Sequence, residues 1–380
     1  MSAKNFETVN IILTKIKELT PENNPLSSLS NEKQYLFYEL SLRFPKYNIE
    51  HYEKVFSQMY QSKMDFSFEQ FEKAYKEYMI SNPIRRIDFT FYFHVNFPFE
   101  ESFDFLGKRV NVFYGDIAIK NDFIKKAIEW NERNHLLSED FFQDRTNKGY
   151  RLISVTINTY SLEKAYIDFE ELLYNLKGII EYYRGKGVFF YNYGAINKIN
   201  FSYFNLPEFF IVDFNNQSLF YWITTKLKDV DIAINLMESN QFEIMSNIDK
   251  FKDIPNKGSI FSLLLSTFQL YGKAVSSEFR ASAFQFFWNI LEIVTLSGNN
   301  NGSTSYVIKK LKAFYKDEYL EMYERSINEI GDIRNKLVHE GIDKVNQLHL
   351  NFIKSLVEGC IKILLSNINR VNTIAKLEVC

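Results

Sequence analysis

The sequence predicts an α+β protein with an N-terminal helical segment, a mixed α+β domain and a C-terminal all-α helical bundle. The stretch "IDFTFYFHVNF" alternates apolar and polar residues, the period of a strand with one buried face. Residues 161–185 instead carry apolar side chains at helical spacing. From about residue 258 the helical pattern continues almost to the end of the chain. These changes of period predict three regions: 1–82, 83–250 and 258–380.

Composition limits the class of protein. Of the 380 residues, 46% are hydrophobic and 17% aromatic, which is enough to build cores and excludes wholesale disorder. Because the net charge is −2, any nucleic-acid site must be a local basic patch. The only two cysteines, Cys360 and Cys380, cannot form a disulfide framework, as expected in a reducing cytosol.

The absence of several motifs narrows the function further. The N-terminus lacks the basic start and apolar run of a signal peptide, and no uncharged apolar stretch is long enough to span a membrane. We therefore expect a cytoplasmic protein without a membrane partner. Because the sequence contains no HExxH, His/Cys cluster, GxxxxGK[ST], GxGxxG or GxSxG, we expect no metal and no cofactor.

The remaining elements follow from the same periodicities. Ser161 is the predicted N-cap of the helix at 161–185. Further strands are predicted at 109–115, 151–160, 187–193, 198–204, 208–214 and 218–226. Helices are predicted at 6–19, 66–80, 259–275, 277–296 and 343–368, with one or two more between 306 and 341.

Five histidines are candidates for chemistry. His94 lies on the polar side of the alternating strand, and His51 and His135 stand alone in charged sequence. Each of these three is predicted to be a solvated side chain. His339 and His349 remain, both close to a predicted helix end.

Arg334, Asn335 and His339 form the most suggestive group of polar residues. Asn335 and His339 are four residues apart and would share a helix face. Arg334 would lie about 140° away from His339 around a regular helix. A long reach of its side chain, or a helix that begins near Asp332, would be needed to bring the guanidinium to the histidine.

These residue types suit RNA cleavage without a metal. An imidazole can take the proton from a ribose 2′-hydroxyl. An arginine can hold the scissile phosphate, and an asparagine can fix the histidine tautomer or bind a phosphate oxygen. The leaving 5′-oxygen also needs an acid, which a second copy of the same histidine would supply in a two-fold dimer.

Two features of the local sequence leave alternatives open. Arg334 could belong to an ordinary polar helix face and pair with Asp332 or Glu329. Gly331, inside the same helix, predicts a loosened or kinked segment that would shift the arginine. Gly341 is expected to end the helix just after the histidine.

The stretch "IRNKLVHEG" resembles the R-N-x-x-x-H motif of HEPN domains, in particular the ApeA-like branch of anti-phage proteins. "FQFFWNILEIVTL" is similar to the second helix of that branch, with Trp288 and Glu292 in its aromatic-W-x-x-x-E pattern. The resemblance covers residues 258–380 and implies that this region folds as a HEPN-like helical bundle.

What the resemblance implies is a metal-independent endoribonuclease that acts as a homodimer through this bundle. Its substrates would be tRNA or other RNA, in phage defence, abortive infection or as a toxin, with a trigger derived from the phage. Arg334 and His339 would be catalytic and Asn335 would support them. Glu292 would be a polar partner on the facing helix, or a member of a surface salt bridge. Lys336 would contact phosphate or remain solvated.

A basic run precedes the motif helix and is a candidate RNA-binding segment. Interleaved Phe314 and Tyr315 could stack on a base while the lysines hold the backbone, although such a run is also typical of a solvated face. Its lysines are Lys309, Lys310, Lys312 and Lys316.

Residues 1–240 show no catalytic constellation, so we expect them to form a sensor or specificity module. Two other classes of function stay open. The chain could be a non-catalytic HEPN-like binding module that acts through its α+β domain. A metal-dependent nuclease is disfavoured, because the sequence lacks a cluster of carboxylates and histidines.

Overall fold

A computed structural model of the chain divides into two compact units, Met1–Arg85 and Arg86–Cys380. Each unit is described by itself. The residues that the structure describes are 3–18, 51–81, 85–114, 117–130, 150–187, 204–222, 238–255, 259–296, 303–313 and 317–368.

The first unit is helical in its described part, as the sequence predicts. Its helices are α1 (Ala3–Glu18), α2 (Tyr52–Gln61) and α3 (Phe68–Ser81). Their apolar faces meet in a core centred on aromatic rings, with Phe56 stacked on Phe71 at 5.3 Å between centroids. His51 is half-buried rather than solvated, because its ring packs against Tyr78.

The second unit contains a six-stranded sheet in which all neighbouring strands are antiparallel. The strand order is β2-β3-β4-β1-β5-β6. The longest pairing runs from Ile87 opposite Thr159 to Val95 opposite Arg151. The strands are β1 (Ile87–Val95), β2 (Phe103–Phe105), β3 (Lys108–Phe113), β4 (Arg151–Thr159), β5 (Phe209–Phe214) and β6 (Gln217–Trp222).

Helices cover both faces of this sheet. On one face, α5 (Leu162–Gly185) packs its apolar stripe against β1, where Phe91 stacks on Phe169 at 4.2 Å. The predicted N-cap is confirmed, since Ser161 Oγ accepts a hydrogen bond from the Lys164 amide.

On the other face, α4 (Ile117–Trp130) inserts Phe123 and covers part of β1. The ring of Phe123 lies 5.0 Å from the ring of His94, which is 8% exposed, and Asn96 is 2% exposed. The prediction of one buried strand face and a solvated His94 is therefore wrong. The reason is that α4 covers this face of the sheet, and its apolar periodicity is too weak to predict a helix from the sequence.

The α+β class predicted from the sequence is confirmed. The structure adds β2, α4 and α6 (Glu238–Asp249), which were not predicted. Residues 188–193 and 198–203 of two predicted strands lie outside the described residues, as does His135. The other predicted strands coincide with β1, β3, β4, β5 and β6.

In the C-terminal part of the second unit, the secondary-structure elements of the described residues from Ile260 to Asn367 are all helices. A single hydrophobic core extends from Phe91 in the sheet to Trp288 in these helices. The predicted domain boundary at 250–258 stays a prediction. The helices are α7 (Ile260–Ser276), α8 (Arg280–Leu296), α9 (Thr304–Ala313), α10 (Asp317–Asn335) and α11 (Gln347–Asn367).

Glycines bring α5 and α7 into backbone contact. A Cβ atom on Gly178 would lie 1.8 Å from the carbonyl oxygen of Phe268, and one on Gly272 would lie 2.8 Å from that of Tyr174. This close crossing joins the sheet's covering helix directly to the C-terminal helices.

None of the described helices combines the length and the apolar character that crossing a bilayer requires.

Candidate active site

The end of α10 departs from regular helix geometry at the predicted triplet. Residues Lys336–Glu340 form a π-helical turn, and the amide of Gly341 donates to the carbonyl of Lys336, five residues back. Such i→i+5 bonding brings residues five apart onto one face. Arg334 Nη1 consequently lies 3.2 Å from His339 Nε2. Of the two alternatives offered for this approach, a helix start near Asp332 is not observed, since α10 is continuous from Asp317 to Asn335.

The two glycines near the triplet have different roles. Gly341 has φ = +67°, a left-handed conformation that favours glycine, and it ends the helical segment as predicted. Gly331 is buried, and α10 continues through it without a break to Asn335. A Cβ atom there would lie 2.3 Å from Cδ1 of Ile308, so the missing side chain makes room for α9.

Arg334 is held against the facing helix α8 rather than displayed on a solvated face. Its Nη2 lies 3.1 Å from Oε1 of Glu292, and the same oxygen accepts a 2.7 Å hydrogen bond from Nε1 of Trp288. The side chains of Arg334 and Glu292 are 18% and 28% exposed. The alternative pairing with Glu329 is wrong, because Glu329 contacts His349 instead.

The contact between Arg334 and His339 defines the state of the imidazole. A guanidinium can only donate hydrogen bonds, so Nε2 of His339 must accept. A hydrogen bond in this direction needs the tautomer that carries its proton on Nδ1. Since His339 is exposed, this ring is open to a ligand that approaches from solvent.

Asn335 is oriented by residues other than the histidine. Its Oδ1 lies 2.9 Å from Oγ1 of Thr304 and 3.4 Å from Nη1 of Arg334. Within the described ranges, Asn335 and His339 share no hydrogen bond, so the tautomer is fixed by the arginine. The sequence did not indicate Thr304, because it precedes Asn335 by 31 residues and follows an ordinary turn-forming loop.

His349 is part of a helix cap. It is the third residue of α11 and forms a reciprocal capping box with Asn346, whose side chain accepts from the His349 amide at 2.9 Å. Its Nε2 lies 3.1 Å from Oε1 of Glu329 on α10. This histidine joins two helices and is not part of the candidate site.

The candidate RNA-binding lysines are only partly free to bind phosphate. Lys309 is exposed, but Lys312 pairs with Glu324 at 2.8 Å, and Lys310 lies 5.7 Å above the ring of Tyr306. Lys336 is half-buried in the π-turn. Lys316, Phe314 and Tyr315 lie outside the residues whose side chains are described.

The described residues contain no group of three or more His, Cys, Asp or Glu side chains that could hold a metal ion. No protein-family model matches the chain, and comparisons with curated proteins and with solved structures find no match either. The assignment of function therefore depends on the geometry of the site and on the sequence motif.

Proposed function

We propose that the chain is a metal-independent endoribonuclease whose catalytic residues are Arg334 and His339, with Asn335 in support. The observation that carries the proposal is the 3.2 Å contact between Arg334 Nη1 and His339 Nε2 across the π-turn. A donor for phosphate and a neutral proton acceptor thus stand side by side at an accessible surface. Their positions are supported by Glu292 and Trp288.

The chemistry follows from these two groups. When Arg334 turns Nη1 from His339 to the phosphate, Nε2 of His339 is free to take the proton from a ribose 2′-hydroxyl. The 2′-oxygen then forms a bond to the phosphorus while the bond to the 5′-oxygen breaks. Arg334 donates to the non-bridging oxygens and stabilises the charge of the transition state. The products are a 2′,3′-cyclic phosphate and a 5′-hydroxyl, whose proton comes from a general acid.

A second copy of the chain would supply that acid as its own His339. Three large apolar side chains near the motif are exposed: Val338 at 46%, Ile342 at 41% and Leu348 at 76%. Burying them in a two-fold interface would be favourable and would bring two motifs towards one cleft. We therefore include a homodimer through the C-terminal helices in the proposal.

The wider setting is proposed from the resemblance of "IRNKLVHEG" to the HEPN motif. We propose a HEPN-like C-terminal bundle of the ApeA-like branch that cleaves tRNA or other cellular RNA in the cytoplasm. Its role would be in phage defence, abortive infection or as a toxin. The rest of the chain would sense a phage-derived trigger and restrain the nuclease.

The second candidate function is binding without catalysis, by a HEPN-like bundle that keeps the motif for structure. The ion pair between Arg334 and Glu292 favours it, because the arginine charge is already compensated without a substrate. In that case the triplet would stabilise the contact between α8 and α10, and the α+β part would bind the partner.

Purified protein incubated with total bacterial RNA separates these functions. We expect fragments with 2′,3′-cyclic phosphate ends, formed equally well in EDTA and lost in an Arg334→Ala/His339→Ala variant. Arg325→Ala is the matched control, because it removes an exposed arginine from the same helix. Cleavage that persists in the double variant would overturn the proposal, and cleavage abolished by EDTA would favour a metal-dependent nuclease.

A further inference from the structure

Thr304, the first residue of α9, makes a hydrogen bond that reaches across to the motif on α10. Its Oγ1 lies 2.9 Å from Oδ1 of Asn335. A carbonyl oxygen cannot donate, so the threonine hydroxyl must be the donor. The bond joins residues 31 positions apart and is therefore a property of the fold rather than of the local helix.

Arg334 determines the orientation of the Asn335 side-chain amide. Its Nη1 lies 3.4 Å from the same Oδ1, and a guanidinium has donors only. The amide oxygen must therefore face Arg334 and Thr304, which turns the Nδ2 group away from both. Asn335 is half-buried, its side-chain hydrogen bonds within the described residues are to Oδ1, and Nδ2 is not among the buried polar atoms that lack a partner, so this NH₂ group can meet a ligand from solvent.

Gly331 allows α9 to approach closely enough for this contact. It lies one helical turn before Asn335, and a Cβ atom added to it would stand 3.4 Å from Cγ2 of Thr304 and 2.3 Å from Cδ1 of Ile308. A larger residue would press on the helix that carries Thr304. The glycine and the threonine thus act together at one crossing of two helices.

We propose that Thr304 is a positioning residue that directs Nδ2 of Asn335 at a non-bridging oxygen of the scissile phosphodiester. The inference rests on the proposed ribonuclease function and deepens it. It also assigns Asn335 to the phosphate rather than to the histidine tautomer, which Arg334 already fixes. The phosphate would then receive donors from two adjacent residues, Arg334 and Asn335.

Cleavage kinetics with total bacterial RNA test the positioning role. We expect Thr304→Val to lower the cleavage rate at saturating RNA about tenfold while the half-saturating RNA concentration changes little. Thr304→Ser should recover most of the rate, because serine keeps the hydroxyl. The control is Thr295→Val, since the hydroxyl of Thr295 donates to the carbonyl of Leu291 in its own helix. A wild-type rate in Thr304→Val would overturn the inference.

Thermal unfolding separates failure of this inference from failure of the proposed function. Thr304→Val, Asn335→Ala and the double variant form a cycle in which a shared hydrogen bond makes the Tm changes non-additive, by roughly 2 °C. Additive changes would overturn the positioning role even if the protein cleaves RNA. If wild-type protein cleaves no more RNA than Arg334→Ala/His339→Ala, the proposed function fails. The thermal-unfolding cycle then tests only whether Thr304 and Asn335 share a hydrogen bond.

Discussion

Arg334 Nη1 lies 3.2 Å from Nε2 of His339, although a regular α-helix would place two residues at this spacing about 140° apart. The π-helical turn at Lys336–Glu340 reduces this angular separation. Turns of this kind occur often at functional sites. The juxtaposition thus depends on one local change in backbone hydrogen bonding, which Gly341 ends in a left-handed conformation.

The carboxylate of Glu292 should control how well Arg334 is placed. Glu292→Gln keeps an acceptor for Trp288 Nε1 but removes the charge that holds Nη2 of the arginine at 3.1 Å. Because this pair is partly exposed, we expect a modest effect, a fall in kcat of about tenfold with KM little changed. RNA-cleavage kinetics measure it. The control is Glu321→Gln, which removes an exposed carboxylate from α10, and equal rates in both variants would contradict the assignment.

Gly331 should be required for packing rather than for flexibility. In Gly331→Ala the new Cβ atom would meet Ile308 Cδ1, an overpacking cost of about 1–3 kcal/mol that outweighs the gain of up to about 1 kcal/mol in helix propensity. We expect the free energy of unfolding in urea to fall by about 1 kcal/mol.

Two further variants check the cause of this loss. Ile308→Val removes the obstructing Cδ1 atom and should restore stability to the Gly331→Ala protein. Gly359→Ala is the matched control, because no atom lies within 4 Å of its added Cβ and alanine favours the helix. A Gly331→Ala protein as stable as the Gly359→Ala protein would show that the close approach of α9 to Gly331 is not required.

Lys354 should anchor α11 to the end of α5. It is 4% exposed, donates to the carbonyl of Gly185 at 2.8 Å, and forms an ion pair with Glu358. Lys354→Met would leave that largely buried carboxylate without its cation, and we expect the free energy of unfolding to fall by about 3 kcal/mol. Urea unfolding measures the loss. Lys362→Met, at an exposed position of the same helix, should change stability little, and an equal loss there would contradict the anchor.

Alkaline pH should destabilise the fold through buried tyrosines. Burial, with Glu358 as a further cause, raises the pKa of Tyr182 to about 12 and the pKa of Tyr271 well above its ordinary value. An unfolded tyrosine loses its proton near pH 10, so the folded state binds more protons above that pH. The stabilisation is complete below about pH 10 and decreases as pH rises towards the folded values.

The variant Tyr271→Phe isolates one of these groups. Phenylalanine cannot ionise, so the variant should lose less unfolding free energy than the wild-type protein as pH rises from 9 to 11. The difference should reach up to about 1.4 kcal/mol for each pH unit above 10. Unfolding in urea across this range measures it, with the exposed Tyr221→Phe as control. Identical pH dependence in Tyr271→Phe and wild-type protein would contradict the account.

Much of the fold could be predicted from periodicity, because period two and period 3.6 report which side chains face a core. That is why β1 and α5 were predicted close to their observed bounds. Periodicity does not reveal what covers the second face of a strand. His94 is polar in sequence yet buried, because Phe123 of α4 packs against its ring.

The residues of the site could be predicted from chemistry, but their arrangement could not. Arg334, Asn335 and His339 are the types that RNA cleavage needs. The π-turn that aligns two of them leaves no signal in residue spacing, since a regular helix is the default expectation. Thr304 contributes through tertiary packing at Gly331, a glycine that the sequence alone suggested would disturb the helix.

The ends of RNA in cells that express the chain test the central claim most directly. Induction of wild-type protein should arrest growth and produce RNA fragments with 2′,3′-cyclic phosphate ends, whereas the Arg334→Ala/His339→Ala variant at equal abundance should do neither. The Arg325→Ala control should behave as the wild type. Growth arrest with the same RNA ends in the double variant would contradict a catalytic role for the pair of residues that the π-turn brings together.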